Sequence, residues 1–237
     1  MKKCQPLATT LKKCMMHSSP VVASRRVGLL GGAFDPPHEG HLRLAQLAWD
    51  NLMLDELRFV PARIAPMKQK SAAPAGMRLA MLREMLDGTP YTIDDIELGL
   101  GEVSYTVKTL EACSEREPNA AWILIMGSDQ AKAFEKWFDP ERILELASVA
   151  VAVRPNCEGV SADESNSEPA LPAFLSVRLS GEWSGKPGHT ILLPSTELGL
   201  ASSKIRGQLA HRQNPVGLSE KVLTTILRQK LYRKYSS

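Results

Sequence analysis

His38 and His41 are the residues of this 237-residue chain whose type and spacing most directly suggest chemistry. They close the stretch GLLGGAFDPPHEGH, Gly28 to His41. Imidazoles three positions apart at the start of a helix project from one face. Gly31 and Gly32 let backbone come close to a ligand, because no Cβ intrudes. Pro36 and Pro37 fix φ and stiffen the turn. A helix opening around His38 to His41 exposes backbone N–H groups with a partial positive charge, an anion site. Two imidazole donors beside such a terminus suit a polyphosphate. Neither G-x-x-x-x-G-K-[ST] nor G-x-G-x-x-G occurs here. Two histidines could also be half of a metal site. No Glu completes H-E-x-x-H and no other histidine is near in sequence, so no metal ligation is expected.

Those residues need elements to hold them. VGLLGG reads as a buried strand that delivers the glycines to a tight turn. After His41, the residues Leu42, Ala45, Trp49 and Leu52 recur at helical spacing. ELRFVPA reads as a second strand, GMRLAMLREMLDG as a helix ended by Gly88, and YTIDDIEL as strand-like. SYTVKTLEACSE predicts a helix with Ser104 as N-cap. AWILIMGSD is an apolar strand that runs into Gly127-Ser128-Asp129. DPERILELA places Asp139 at a cap and Pro140 at the first helical position. SVAVAV is another buried strand, stopped by Arg154-Pro155, and TILLP reads as a last one. SSKIRGQLAHRQ starts a helix, and SEKVLTTILRQKLYRKY is a basic amphipathic helix with a solvated face. Alternating helices and doubly apolar strands predict an α/β fold with a doubly wound parallel sheet. Ligands of such sheets bind outside the carboxyl ends of the strands. The glycine pair and Gly-Ser-Asp end two of them, so both point at one crevice.

Composition narrows the setting. The net charge of +3 is too mild to argue for nucleic acid, and no apolar run approaches the length of a membrane span. Cys4, Cys14, Cys113 and Cys157 are far apart and lack zinc-like spacing. They read as free thiols of a reducing, cytoplasmic compartment. Residues 1–26 carry Lys2, Lys3, Lys12, Lys13, Arg25 and Arg26, and no acid precedes Asp35. We expect a disordered basic extension there, or translation starting at Met15 or Met16, followed by one domain over 27–233. Within that domain, residues 155–189 are polar and rich in Ser, Glu and Pro, and are expected to form a variable loop.

GGAFDPPHEGH resembles the H-x-G-H motif of the nucleotidyltransferase superfamily. FVPA, PMK (Pro66 to Lys68), MRLAMLREML, DIEL with SYTVKTL, IMGSDQ, Trp137, VAVRP, SSKIR and LRQKLYR are similar to stretches of bacterial nicotinate-nucleotide adenylyltransferases. The resemblance runs from Val27 to Arg233. It implies a Rossmann-like nucleotidyltransferase fold with a small C-terminal helical part. It also implies ATP and nicotinate mononucleotide as substrates, nicotinate adenine dinucleotide and pyrophosphate as products, and a place in NAD synthesis. On this resemblance His38 and His41 are catalytic. Gly31, Gly32, Ala33, Phe34, Gly40, Asp129, Ser202, Ser203 and Arg206 fall on the ATP side, with Asp129 toward the ribose. Trp137 would stack on the pyridine ring, backbone amides near Thr106 and Phe138 would hold the carboxylate, and Tyr105, Lys68 and Arg154 complete the mononucleotide side. Mg²⁺ would arrive with ATP and need no dedicated protein ligands. Ser203 stands where the family usually has Thr, and Ala201 replaces a first serine. Met67 and Leu100 fall where histidine and arginine are common. Nothing here points to a nucleic-acid or membrane partner, and self-association stays open. The competing readings are a pantetheine-phosphate adenylyltransferase and a non-catalytic nucleotide sensor on the same fold.

Overall fold

The computed structural model describes residues 25–64, 72–101, 103–152, 171–195 and 199–233. In chain order the elements are β1 Arg25–Gly32, α1 Glu39–Leu52, β2 Glu56–Pro61, α2 Ala75–Leu86, β3 Thr92–Ile93, α3 Ile96–Gly99, α4 Thr106–Arg116 and β4 Ala120–Gly127. There follow α5 Ser128–Ala131, a 3-10 turn at Phe134–Lys136, α6 Pro140–Leu146, β5 Ala147–Ala152, α7 Ala173–Ser176, β6 Thr190–Leu193, α8 Ser202–Ala210 and α9 Glu220–Arg228.

The strands form one parallel sheet in the order β3-β2-β1-β4-β5-β6. Strand side chains alternate between faces. Val27, Leu29, Trp122, Leu124, Val149 and Val151 pack on one side, with Leu110 and Cys113 of α4 and Ile143 of α6. Leu30, Ile123, Ile125, Leu57, Phe59 and Ala150 pack on the other, with α1, α2, α8 and α9. Two filled faces explain why the strands read as continuous apolar runs. The strand order reverses between β1 and β4, and the crevice at their carboxyl ends is where doubly wound sheets take ligands.

Several sequence expectations change in detail. β1 begins at Arg25, so Arg25 and Arg26 belong to the sheet, and residues 1–24 lie outside the described residues. YTIDDIEL keeps only two residues as strand. Asp94 then accepts the Ile96 N–H at 3.3 Å and turns the chain into α3, an Asx-type competition with the ladder. Ser104 is not the cap of α4; Tyr105 holds that position. The Ser104 hydroxyl instead accepts the Arg63 N–H at 2.9 Å. The stretch expected as loop over 155–189 carries α7, a bridge from Leu179 to Thr190, and a buried Trp183 in its described part. Among the described residues no helix is long and apolar enough to cross a membrane.

Candidate active site

The turn after β1 is built around two ring stacks. An added Cβ at Gly31 would meet nothing within 4 Å, so this backbone faces open space. At Gly32 it would press on the Phe34 ring at 3.0 Å. Phe34 has φ 47°, a left-handed conformation that costs a non-glycine residue of order 1 kcal/mol. Its side chain is buried against His41, with ring centroids 5.0 Å apart. It therefore supports the imidazole and leaves only its backbone for a nucleotide. His38 caps α1 and its N–H donates to His41 Nδ1 at 3.1 Å. In a neutral ring that acceptor places the proton of His41 on Nε2, the form that donates to a phosphate oxygen. The two imidazoles stack with centroids 3.8 Å apart. Gly40 makes room for this, since a Cβ there would meet the His38 ring at 3.0 Å and Leu200 at 3.4 Å.

The helix terminus itself is less open than its sequence suggests. Glu39 N–H donates to Gly217 O at 2.9 Å, and His41 N–H turns back to His38 O at 2.8 Å. With those amides spent inside the protein, the imidazoles carry more of the donor function than the backbone.

Chain segments remote in sequence brace the turn. Ser202 Oγ donates to Pro36 O at 2.9 Å and Arg206 Nη1 to Asp35 O at 2.6 Å. Ser202 and Arg206, expected to face ATP, thus also fix the carbonyls beside the histidines, while Ser203 next to them is exposed. Asp35 is buried, and its carboxylate accepts Ala72 N–H at 2.7 Å, Ala73 N–H at 3.1 Å and the Tyr232 hydroxyl at 2.7 Å. Burial and the Asp35 charge raise the Tyr232 phenol pKa, so its proton stays in that bond. Arg78 is only 1% exposed and donates to Ala33 O at 2.5 Å and Arg63 O at 3.0 Å. Burial lowers its pKa, partly offset by Asp35. Sequence reasoning missed Asp35, Arg78 and Tyr232. All three stand inside recognised stretches, but an arginine in a helical run carries no sign that it points inward.

Beside this turn, at the carboxyl ends of β1 and β4, lies a cavity of about 710 Å³. Gly31, Gly32, Ala33 and Asp129 line it together with Tyr105, Thr106, Trp137 and Phe138, whereas His38, His41, Ser202, Ser203 and Arg206 are not among its lining residues. The structure thus brings the two suspected strand ends and the aromatic residues to one space. The Trp137 ring rests on Phe134 at 5.2 Å between centroids, and Tyr105 and Phe138 meet at 5.0 Å. Asp139, in a left-handed conformation, caps α6 through Arg142 N–H at 3.2 Å and so fixes the chain after Phe138. Lys68 and Arg154 lie outside the described residues. Glu97, which sequence reasoning passed over inside DIEL, also lines the cavity. Burial pushes its carboxyl above the ordinary carboxylate range. Cys113 is buried in the core between α4 and the sheet and its thiol is pushed up to about 11 by burial, so it is no nucleophile. Among the described residues no three His, Cys, Asp or Glu side chains gather into a metal site.

The model of the cytidylyltransferase-like family matches residues 29–229, the class that the sheet order and the two-histidine turn define. A relative from Laribacter hongkongensis, named "Probable nicotinate-nucleotide adenylyltransferase", is 38% identical over 89% of this chain and 96% of its own length. One of the same name from Hydrogenovibrio crunogenus is 34% identical over 89% and 99%. Among solved structures, a Plasmodium falciparum nicotinic acid mononucleotide adenylyltransferase complexed with NaAD shares the fold. Its TM-score is 0.66 at 18% identity, covering 88% of this chain and 97% of that one. The chain belongs to the cytidylyltransferase-like family, among its nicotinate-nucleotide adenylyltransferases.

Proposed function

We infer that this protein transfers the adenylyl group of ATP to nicotinate mononucleotide, giving nicotinate adenine dinucleotide and pyrophosphate for NAD synthesis. The observation that carries the reading is one cavity at the β1/β4 crevice, lined both by the Gly31–Ala33 backbone that leads into the histidine turn and by Trp137. The attacking atom is a phosphate oxygen of the mononucleotide, already anionic at neutral pH. It forms a bond to the α-phosphorus as the bond to the β-phosphate oxygen breaks, and pyrophosphate leaves. No proton need be removed, so catalysis reduces to alignment and charge neutralisation. His41 through Nε2, with His38, would donate to the departing phosphates. Arg206 and Ser202 would act on the same side while holding the turn. Gly31 and Gly32 would let the backbone approach the nucleotide, and Asp129 would take the ribose hydroxyls. Trp137 would stack on the pyridine, and the first-turn amide of Thr106, with that of Phe138, would meet the carboxylate. Mg²⁺ would come bound to ATP and neutralise phosphate charge; carried by a triphosphate, it keeps its waters and needs no cage of protein ligands. Widely spaced cysteines suit a cytoplasmic setting.

Pyrophosphate release from ATP, measured with nicotinate mononucleotide, nicotinamide mononucleotide or phosphopantetheine, tests this. We expect the acid to exceed the amide by at least about tenfold in kcat/KM, since a mismatched carboxamide costs roughly 1–3 kcal/mol. Consumption of phosphopantetheine in preference would identify a different adenylyltransferase. A nucleotide sensor would release no pyrophosphate with any of the three.

A further inference from the structure

An amide-lined pocket for an anionic ring should hold donors only, yet Glu97 lines the same cavity as Tyr105, Thr106 and Trp137. It is 7% exposed. Its Oε1 accepts the Thr109 hydroxyl at 2.7 Å, and the neighbouring Ser104 hydroxyl, like that of Thr109, favours the ionised carboxyl. The Ser104 oxygen is itself fixed by the Arg63 N–H. The Thr109 hydroxyl has a second acceptor, Tyr105 O, at 3.3 Å. That pair of acceptors gives the Glu97 carboxyl two hydrogen-bonded states. Ionised, it accepts from Thr109. Protonated, it can donate to Thr109 Oγ1 while the threonine hydroxyl turns to the Tyr105 carbonyl, and no group is left unpaired.

We propose that Glu97 determines which pyridine the pocket accepts: protonated, it tolerates a nicotinate carboxylate, and ionised, it repels the acid and favours a carboxamide. The idea rests on the adenylyl-transfer reading above and adds the choice between acid and amide. Two ionised carboxylates in one poorly hydrated cavity oppose each other. The acid substrate must therefore bind with a proton on Glu97, whereas the carboxamide NH₂ can donate to the ionised form. Burial and the nearby Asp94 both favour the protonated state. Asp94 is itself held by Arg116 and Arg58, so its charge persists. The other charged or titratable groups around the pocket are Tyr105, Asp129, Lys136 and Asp139, with the Arg63 side chain reaching Leu98 O at 3.5 Å. No guanidinium or ammonium is in ion-pair contact with Glu97 among the described residues.

The test is the ratio of kcat/KM for nicotinate over nicotinamide mononucleotide, followed from about pH 6 to pH 9 in the wild type and in Glu97→Gln. Ionisation of ATP, of the substrate phosphate and of the histidines is common to both substrates and cancels in the ratio. In the wild type the ratio should fall with rising pH, approaching about tenfold per pH unit once Glu97 titrates. Glu97→Gln keeps the size and an acceptor for Thr109, and its ratio should stay flat within about twofold. At pH values where the wild-type ratio is falling, calorimetry in buffers of different ionisation enthalpy should show proton uptake with the acid and none with the amide, a readout that needs no variant. A flat wild-type ratio, a sloping Glu97→Gln ratio, or equal proton uptake for both ligands overturns the proposal while adenylyl transfer stands. Turnover of neither mononucleotide overturns both.

Discussion

Near the amino ends of β1 and β2, Arg25, Arg58 and Arg116 are answered by carboxylates, while the Arg26 guanidinium meets the Leu52 carbonyl and the Trp183 ring. Arg58 makes a two-point contact with Glu117 at 2.6 and 3.0 Å, another with Glu56 at 2.6 Å, and lies over the Trp122 ring at 5.5 Å. Arg25 pairs with Glu56 at 2.7 Å, and Arg116 with Asp94. At the carboxyl ends, the contacts of Arg78 and Arg206 among the described residues are to the carbonyl oxygens of Ala33 and Asp35 in the turn and of Arg63 after β2. Asp35 lies close by, but its oxygens are engaged by two amides and a phenol. Pairing with carboxylates cancels a local field, whereas carbonyl partners orient a guanidinium and leave its charge to act on a ligand. The same residue type therefore stabilises one end of the sheet and prepares the other for a polyphosphate.

Substitutions at the two ends should separate activity from stability. His41→Ala should lower kcat by at least about a hundredfold, on the order of 3 kcal/mol of transition-state stabilisation, and barely move the melting temperature. Wild-type turnover in that variant would end the phosphate-donor reading. Arg58→Ala should do the reverse. Breaking a buried pair costs about 3–5 kcal/mol, which we discount to about 2–3 because Glu117 is 25% exposed. Urea unfolding measures that loss, and kcat/KM for the folded protein should change by less than about twofold. If Arg58→Ala loses turnover in proportion to stability, the two ends are not independent.

Smaller effects sharpen the contrast. Trp137→Ala should raise KM for both mononucleotides by about tenfold, since stacking of a flat ring is worth roughly 1–3 kcal/mol and is shared by acid and amide. Different penalties for the two would show that Trp137 also discriminates. Gly40→Ala forces the His38 ring to give by a few tenths of an ångström, and should cost kcat several-fold, up to about tenfold. Unchanged kcat would mean that the ring can move without consequence. The gentlest probe is acid. The Arg58 guanidinium holds the Glu117 carboxyl below its ordinary value of 4.5. A depressed carboxyl stabilises the fold above the unfolded pKa, and that contribution is lost as pH falls through the folded one. Melting temperatures should thus decline below about pH 4.5 in the wild type and less steeply in Arg58→Ala. Parallel slopes would remove Arg58 from the account.

The readable parts of the sequence were those whose causes are local. Buried strands, the Asp139-Pro140 helix start and the Gly31 to His41 turn each announce themselves within a few residues. Bracing does not. Arg78 is placed by the Ala33 and Arg63 carbonyls, and nothing in MRLAMLREML distinguishes it from the exposed Arg83. Ser104 has the right residue type for a cap, yet its hydroxyl is drawn away by Arg63 N–H, a partner 41 residues distant. The start of α1 is less open than expected for the same reason, because the acceptor for Glu39 N–H comes from Gly217. Glu97 looked like an ordinary acid in a strand, and becomes distinctive only when α3 and α4 close over it.

The braces of the histidine turn also carry a message about time. Ser202 to Pro36, Arg206 to Asp35 and Tyr232 to Asp35 join residues 166, 171 and 197 positions apart. A ribosome delivers the turn long before its braces. A prematurely terminated chain thus holds both imidazoles without the contacts that fix them. Such a chain would capture nucleotide poorly and waste little ATP, so that activity itself reports that translation has passed Tyr232.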